Sequence, residues 1–473
     1  MPFNSFVYLL AFLPVVVLIT IAAHRLLGAR SAQVVVLAAS VFFYSWFKPA
    51  NLWYLAGSII VNWLIARLVA SGEGPRRKQI LVLGLVANVS FLCTFKYVNF
   101  FLRNVPYFAH NRFYLPNLEF PLGISFFTLT QVMYLVDCYE GLLPALNLFD
   151  HATFVSFFPY VISGPIAKAK RMAHQFDHFG GVPGERSTLI ARGLYQFAIG
   201  LFKKVIFADA FASIANFGFG TGTRLSAVEA WAFSLSYAMQ IYFDFSGYSD
   251  MAIGSAMMLG IEIPRNFDAP FRSKSIIEFW QRWHISLTNF ITTYLYTPIL
   301  KKFERATLTA SAISTLIAMT IAGLWHGPSW TFVTYGVIHG CGLALNQYWR
   351  KKKMPKIPAF PSWLLTFMVV NLALIFFRSS TMHQAALMTV SLANPHHVFG
   401  IQTLREAWSP MAGRELAALL VGTVIAFYGK SSDQLAREFQ PKCWNSIAVA
   451  TMIVLSWLSL IFNTQQEFVY FKF

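Results

Sequence analysis

Apolar residues along this chain fall into long blocks separated by short polar or basic breaks, not into the alternating or every-third-position patterns of water-soluble elements. The first block, Phe6 to Leu27, can cross about 30 Å of hydrocarbon as a helix. No small-residue cleavage site stands after it, and further spans follow, so it is expected to be retained. Val34 to Phe47 and Leu52 to Val69 predict a second and third embedded helix. Ile80 to Leu102 and Phe120 to Val136 follow, with a proline- and aromatic-rich loop, Pro106 to Pro116, between them. Phe154 to Ile166 is too short to cross and ends in Ser163-Gly164-Pro165, which predicts a re-entrant or interfacial piece. Lys168 to Arg186 predicts a solvated loop, because His174, Asp177 and His178 lack metal-ligand spacing. Leu189 to Phe207 predicts a span with Lys203 and Lys204 snorkelled to the interface, and Val228 to Phe245 predicts another. Ser275 to Leu287 predicts an amphipathic helix. A long apolar run extends from Leu308 to about Tyr348, followed by Trp363 to Phe377, shorter pieces at Ala385 to Leu392 and Leu416 to Tyr428, and Ile447 to Phe462. The expected fold is an all-α polytopic membrane protein with roughly 10 to 13 transmembrane and re-entrant helices.

Composition agrees with that pattern. Of 473 residues, 56% are hydrophobic and only 12% charged, against roughly 25% charged in a soluble domain. No hydrophilic stretch is long enough to form a separate domain, so residues 1–473 are expected to form one integral membrane domain. The formal charge of +17 does not indicate nucleic acid, because the cations sit in short clusters between apolar blocks. Arg76-Arg77-Lys78, Lys168 to Arg171, Lys301-Lys302 and Arg350 to Lys353 read as cytoplasmic anchors, and Arg25 and Arg30 then place the N-terminus outside. The four cysteines, Cys93, Cys138, Cys341 and Cys443, have no paired spacing and read as packing residues.

Candidate chemistry concentrates in two places. Gly323-Leu-Trp325-His326-Gly-Pro328-Ser329-Trp330 sets an imidazole inside an apolar run, where an ionisable side chain is by default a functional-site candidate. Flanking glycines let a ligand or another backbone approach, and Pro328 is expected to kink the helix just past His326. His339 lies 13 residues further on, about 220° around a straight helix, so it is assigned to packing or support. The second place runs from Gln240 through Asp244, Tyr248 and Asp250 to Glu278-Phe-Trp-Gln-Arg282-Trp283-His284-Ile-Ser286. Asp244 and Asp250, six residues apart, face different sides of a helix and make a poor shared carboxylate site. Glu278 and Arg282 have the spacing of a helical ion pair. Neither a G-x-S-x-G elbow nor an HExxH metal motif occurs. An imidazole, with an ordinary pKa of about 6.5, suits removal of a hydroxyl proton during acyl transfer from a thioester, and His326 is the candidate base. His284 is the candidate for orienting the acceptor or for hydrogen-bonding the developing oxyanion.

Phe158-Pro-Tyr-Val-Ile-Ser-Gly-Pro165, Gln240 to Asp250, Asn266-Phe-Asp-Ala-Pro270, Glu278 to Ser286 and Gly323 to Gly327, in that order, resemble the membrane-bound O-acyltransferase family. The nearest likeness is to its bacterial alginate O-acetylase branch, which also acetylates exported polymers such as cellulose. The likeness covers nearly the whole chain, including Tyr470-Phe-Lys-Phe473, with the motif-bearing core at about 120–350. Alginate-type members carry a Leu-Gly-Gly turn after Tyr-Leu-Tyr, where this chain has Tyr294-Leu-Tyr296-Thr-Pro. The resemblance implies a ring of tilted helices around a tunnel. It makes His326 the catalytic residue and His284 the second polar catalytic position, with Asp244, Tyr248, Trp283, Arg282, Trp325 and Ser329 binding substrate or lining the tunnel. It also implies acetyl-CoA as donor with no resident cofactor or metal, a multi-pass protein of the bacterial inner membrane, an exported polysaccharide as acceptor, and a periplasmic acetyltransferase or acetyl-accepting partner. Two readings from other classes stay open: a proton- or ion-coupled transporter using Asp244, Asp250, His284 and His326, and a non-catalytic scaffold for a polysaccharide synthase. No inverted repeat favours the transporter.

Overall fold

Within hydrocarbon, backbone N–H and C=O groups must be paired inside their own segment, so the long apolar blocks fold as helices. A computed structural model describes residues 1–107, 120–181, 184–395, 397–408, 413–462 and 468–469. The expected loop Pro106 to Pro116 lies mostly outside the described residues, as does Tyr470 to Phe473. Among the described residues there is no strand. Six helices among the described residues are long and apolar enough to cross a membrane: Tyr8–Leu27, Asn51–Ser71, Gly74–Lys96, Leu308–His326, Ala359–Arg378 and Cys443–Phe462. Shorter or less apolar helices, among them Ala29–Ser45, Ile124–Tyr139, Arg186–Phe202 and Gly413–Tyr428, fall at the other predicted blocks. The protein is therefore an all-helical multi-pass membrane protein.

The chain divides into two compact units. The first comprises Met1–Phe197, Met251–Pro264 and Phe439–Lys442. Inside it, Asn62 and Asn88 exchange amide hydrogen bonds of 3.1 and 2.6 Å between two helices of spanning length, a polar link suited to a setting without hydrophobic drive between helices. Tyr8 is fully buried and its hydroxyl meets Ser255 Oγ at 2.7 Å. The short block Phe154 to Ile166 is helical only to Ser156 and then turns while staying buried. Gly123, at φ +73°, packs against this turn, and a Cβ there would sit 2.5 Å from the Val161 carbonyl oxygen.

The second unit comprises Ala198–Asp250, Arg265–Glu438 and Cys443–Phe473. Four expectations are corrected within it. Lys203 and Lys204 do not snorkel: they are 8% and 4% exposed and pair with Asp250 and Asp244 at 2.9 and 2.8 Å. Ser275 to Leu287 is not one helix but two, Ile276–Arg282 and Ile285–Phe290, broken at Trp283 and His284. Pro328 does not kink a continuing helix: Leu308–His326 ends, Gly327 is extended, and Ser329 caps a new helix, Trp330–Lys351. Cys341 and Cys443 are exposed and so not packing residues.

Candidate active site

The two helices that flank Pro328 form an antiparallel hairpin. A Cβ on Gly323 would lie 2.8 Å from Gly336 Cα, one on Gly336 would lie 2.4 Å from the Met319 carbonyl oxygen, and one on Gly340 would meet Leu316. Gly323 and Gly336 thus admit another backbone, whereas Gly327 makes room for the Phe332 ring. His326 is the last helical residue before the reversal and is 3% exposed. Its ring lies among Trp325, Phe332, Tyr335 and Phe377, with centroid distances of 4.9, 6.5, 5.8 and 5.1 Å. Ser329 Oγ accepts from Thr331 N at 3.2 Å, so its hydroxyl caps the second helix.

His284 occupies the break between its two short helices with φ 42° and ψ 52°, the left-handed region. Asn266 holds it there. The Asn266 carbonyl accepts from Ile285 N at 3.0 Å, and its Oδ1 faces Ser286 N at 3.2 Å, Ser286 Oγ at 2.9 Å and His284 Nδ1 at 3.2 Å. Asn266 Nδ2 donates to Ser249 Oγ at 3.2 Å. A backbone N–H can only donate, so the atom facing Ser286 N must be the amide oxygen. His284 Nδ1 must then carry hydrogen, and in the neutral ring Nε2 holds the lone pair.

His339 has the opposite arrangement. The Trp280 indole, a donor only, gives its N–H to His339 Nδ1 at 3.2 Å, while Phe279 stacks on the ring. A series of ring contacts of 4.7 to 6.0 Å runs from His326 through Tyr335, His339, Phe279, Trp283, Phe267 and Phe245 to His284. Both candidate histidines belong to one aromatic core, and His339 is part of what joins them. Beside Trp280 lies a cavity of about 240 Å³. Tyr296, Ser311, Gln347 and Thr315 form a hydrogen-bonded polar chain along it, with links of 2.9, 2.9 and 3.1 Å.

The remaining predicted site residues have evident structural partners. Asp244 pairs with Lys204 and accepts from Val469 N at 2.7 Å. Tyr248 stacks on Phe468 at 4.4 Å. Trp283 packs against Phe267, Phe271 and Phe279. Arg282 pairs with Glu278 at 2.9 Å, as its spacing predicts, and donates to the Asp268 carbonyl at 3.3 Å. Asp250 accepts from Ser432 Oγ at 2.7 Å in addition to its lysine. The two aspartates thus serve separate ion pairs, in line with their placement on different helix faces. Sequence reading assigned no role to Asn266, Ser249 or Ser286. The signal available was that all three lie within motifs that carried the resemblance, Asn266 opening Asn266-Phe-Asp-Ala-Pro270.

Comparison with known proteins agrees with this architecture. Residues 71–377 match the family model described as MBOAT, membrane-bound O-acyltransferase family. A peptidoglycan O-acetyltransferase of Helicobacter pylori is 34% identical, over 100% of this chain and 97% of its own length. A probable alginate O-acetylase AlgI of Pseudomonas aeruginosa is 34% identical over 90% of this chain and 80% of its own. A teichoic acid D-alanyltransferase of Streptococcus thermophilus is 29% identical over 49% of this chain and 58% of its own. With His326 at the turn of a buried helical hairpin and the family model covering both candidate histidines, the chain belongs to the membrane-bound O-acyltransferases and is an acyltransferase.

Proposed function

We propose that this protein moves an acetyl group from cytoplasmic acetyl-CoA across the bacterial inner membrane for O-acetylation of an exported glycan. The single observation that carries the assignment of roles is the Asn266 clamp. It fixes His284 with Nδ1–H donated inward and Nε2 as the acceptor nitrogen. A neutral His284 of this tautomer accepts a hydrogen bond through Nε2, which suits holding an acceptor hydroxyl and not donating to an oxyanion. His326, buried among four aromatic rings, serves as general base. It takes the hydroxyl proton as the oxygen attacks the thioester carbonyl. The tetrahedral intermediate then collapses, the carbon–sulfur bond breaks and the proton passes to the departing thiolate. Excluding water from such a site favours transfer over hydrolysis.

The acceptor class is an exported cell-surface glycan of the alginate or peptidoglycan kind. A periplasmic acetyl-accepting enzyme, if it makes the final ester, receives the group from this protein. Against the transporter reading stands the pairing of two of its four candidate carriers, Asp244 and Asp250, with buried lysines. In this reading the N-terminus lies on the periplasmic side, which the basic residues at the other end of the first helix support.

The test uses inverted membrane vesicles carrying the full chain and acetyl-CoA labelled in the acetyl group. Label should become ester-bound in a glycan or protein fraction, released by mild base, in proportion to the amount of enzyme. Proton or solute flux that continues unchanged without any acyl donor, together with no ester-bound label, would replace the acyltransfer reading with the transporter.

A further inference from the structure

A second concave surface lies at the other end of helix Trp330–Lys351 from the turn that bears His326. A cavity of about 940 Å³ opens between the end of helix Trp330–Lys351 and the start of helix Ala359–Arg378. Its walls are two helical stripes. Gly342, Leu345, Asn346, Trp349 and Arg350 recur at three- and four-residue spacing on one helix, and Ser362, Leu365, Thr366 and Val369 do so on the other. The groove is narrow and apolar at Gly342, where an added Cβ would be 3.4 Å from Ile276 and 3.7 Å from Val369. Lys274, Arg350, Lys353 and Lys356 also line it.

None of the lining residues is acidic. Glu278, the nearby carboxylate, accepts from Lys274 N at 2.8 Å but is itself paired with Arg282. Leu345 and Leu365 are 64% and 53% exposed, and Leu365 lies on Ala359–Arg378, a helix long and apolar enough to cross a membrane. Topological anchoring accounts for cations at this end of the helices. It does not account for a groove of this volume whose two helical stripes bring apolar side chains and cations to one cavity. The turn bearing His326 precedes Trp330, and the cations begin about 30 Å along the same helix, so the cationic end of the groove is separate from His326.

We propose that the groove is a binding site for an anionic phospholipid. The phosphodiester is held by Arg350, Lys353, Lys356 and Lys274, and the acyl chains run inward along Leu345 and Leu365. A lipid fits better than a soluble phosphate compound because an amphiphile is needed to satisfy both ends of the groove. The proposal does not depend on which group the enzyme transfers.

The experiment places the full chain in nanodiscs of phosphatidylcholine doped with a phosphatidylglycerol carrying a photoactivatable group near its phosphate, and maps the crosslinks by mass spectrometry. Crosslinks should concentrate in 274–276 and 349–369 and fall by about tenfold or more in the triple variant Arg350→Gln, Lys353→Gln, Lys356→Gln. The charge-preserving triple Arg350→Lys, Lys353→Arg, Lys356→Arg should label as the wild type does. In case the neutral triple folds poorly, wild-type labelling is also followed as salt rises to about 0.5 M, where it should decline. Equal labelling by a phosphatidylcholine probe would overturn the site, as would wild-type labelling of the neutral triple or labelling indifferent to salt. Displacement of the lipid by soluble coenzyme A, where inorganic phosphate has no effect, would make the groove a nucleotide site instead.

Discussion

His284 adopts a left-handed backbone conformation that costs a residue with a Cβ of the order of 1 kcal/mol. Such a conformation persists only where its surroundings hold it in place. Here one residue does so: the Asn266 side-chain oxygen meets Ser286 N and the imidazole, and its main-chain carbonyl meets Ile285 N, just past the break. Removing that amide leaves buried donors unmatched, each costing about 1 to 3 kcal/mol. We therefore expect Asn266→Ala to lower turnover nearly as far as His284→Ala, and the double variant to be little worse than either alone. Initial rates with labelled donor measure this, and additive losses would show that the two residues act separately. His326 stood out in the sequence as an imidazole amid apolar residues, and His284 through the motif that resembles the family's second polar position. The role of Asn266 was not legible, since its contacts to 284–286 form only once the proline-bounded segment folds back. Lys203 and Lys204 were misread for a related reason. A sequence displays a charge but not the carboxylate that will meet it.

At the scale of elements, hydrophobic block length located nearly every helix, including the short block that turns before it can cross. Joints were harder to read. The run from Leu308 to Tyr348 contains a full reversal, not a kink, because Gly327 and Pro328 interrupt the hydrogen-bond ladder and Ser329 restarts it. Of its glycines, read as room for a ligand or a backbone, Gly323 and Gly336 serve the backbone. Gly336→Ala should accordingly push the hairpin helices apart and destabilise the solubilised protein by about 1 to 3 kcal/mol, the usual cost of overpacking. Gly57→Ala is the matched control, because nothing lies within 4 Å of its added methyl group. It should be neutral or stabilising by up to about 1 kcal/mol. Thermal unfolding in detergent compares the pair, and equal effects would remove the hairpin contact from the account.

For the whole molecule, low charge content and long apolar blocks established a multi-pass helical membrane protein before any motif was considered. Ordered motifs then indicated the family, which the match over 71–377 shows. Neither could supply the grouping of residues into two compact units, which depends on contacts distant in sequence. Positive charge illustrates how scale alters interpretation. Read along the chain, the clusters are anchors. In the folded chain the cluster at Arg350 to Lys356 lines a groove, while Lys203 and Lys204 neutralise buried aspartates. The central claim is that this assembly exists to let His326 catalyse acyl transfer. The most direct measurement is the ester-linked acetate of the exported glycan in cells producing His326→Ala, with membrane levels of the variant matched to wild type by immunoblot. The account predicts that acetate falls to the level of cells lacking the protein. Wild-type acetate in that strain would contradict it.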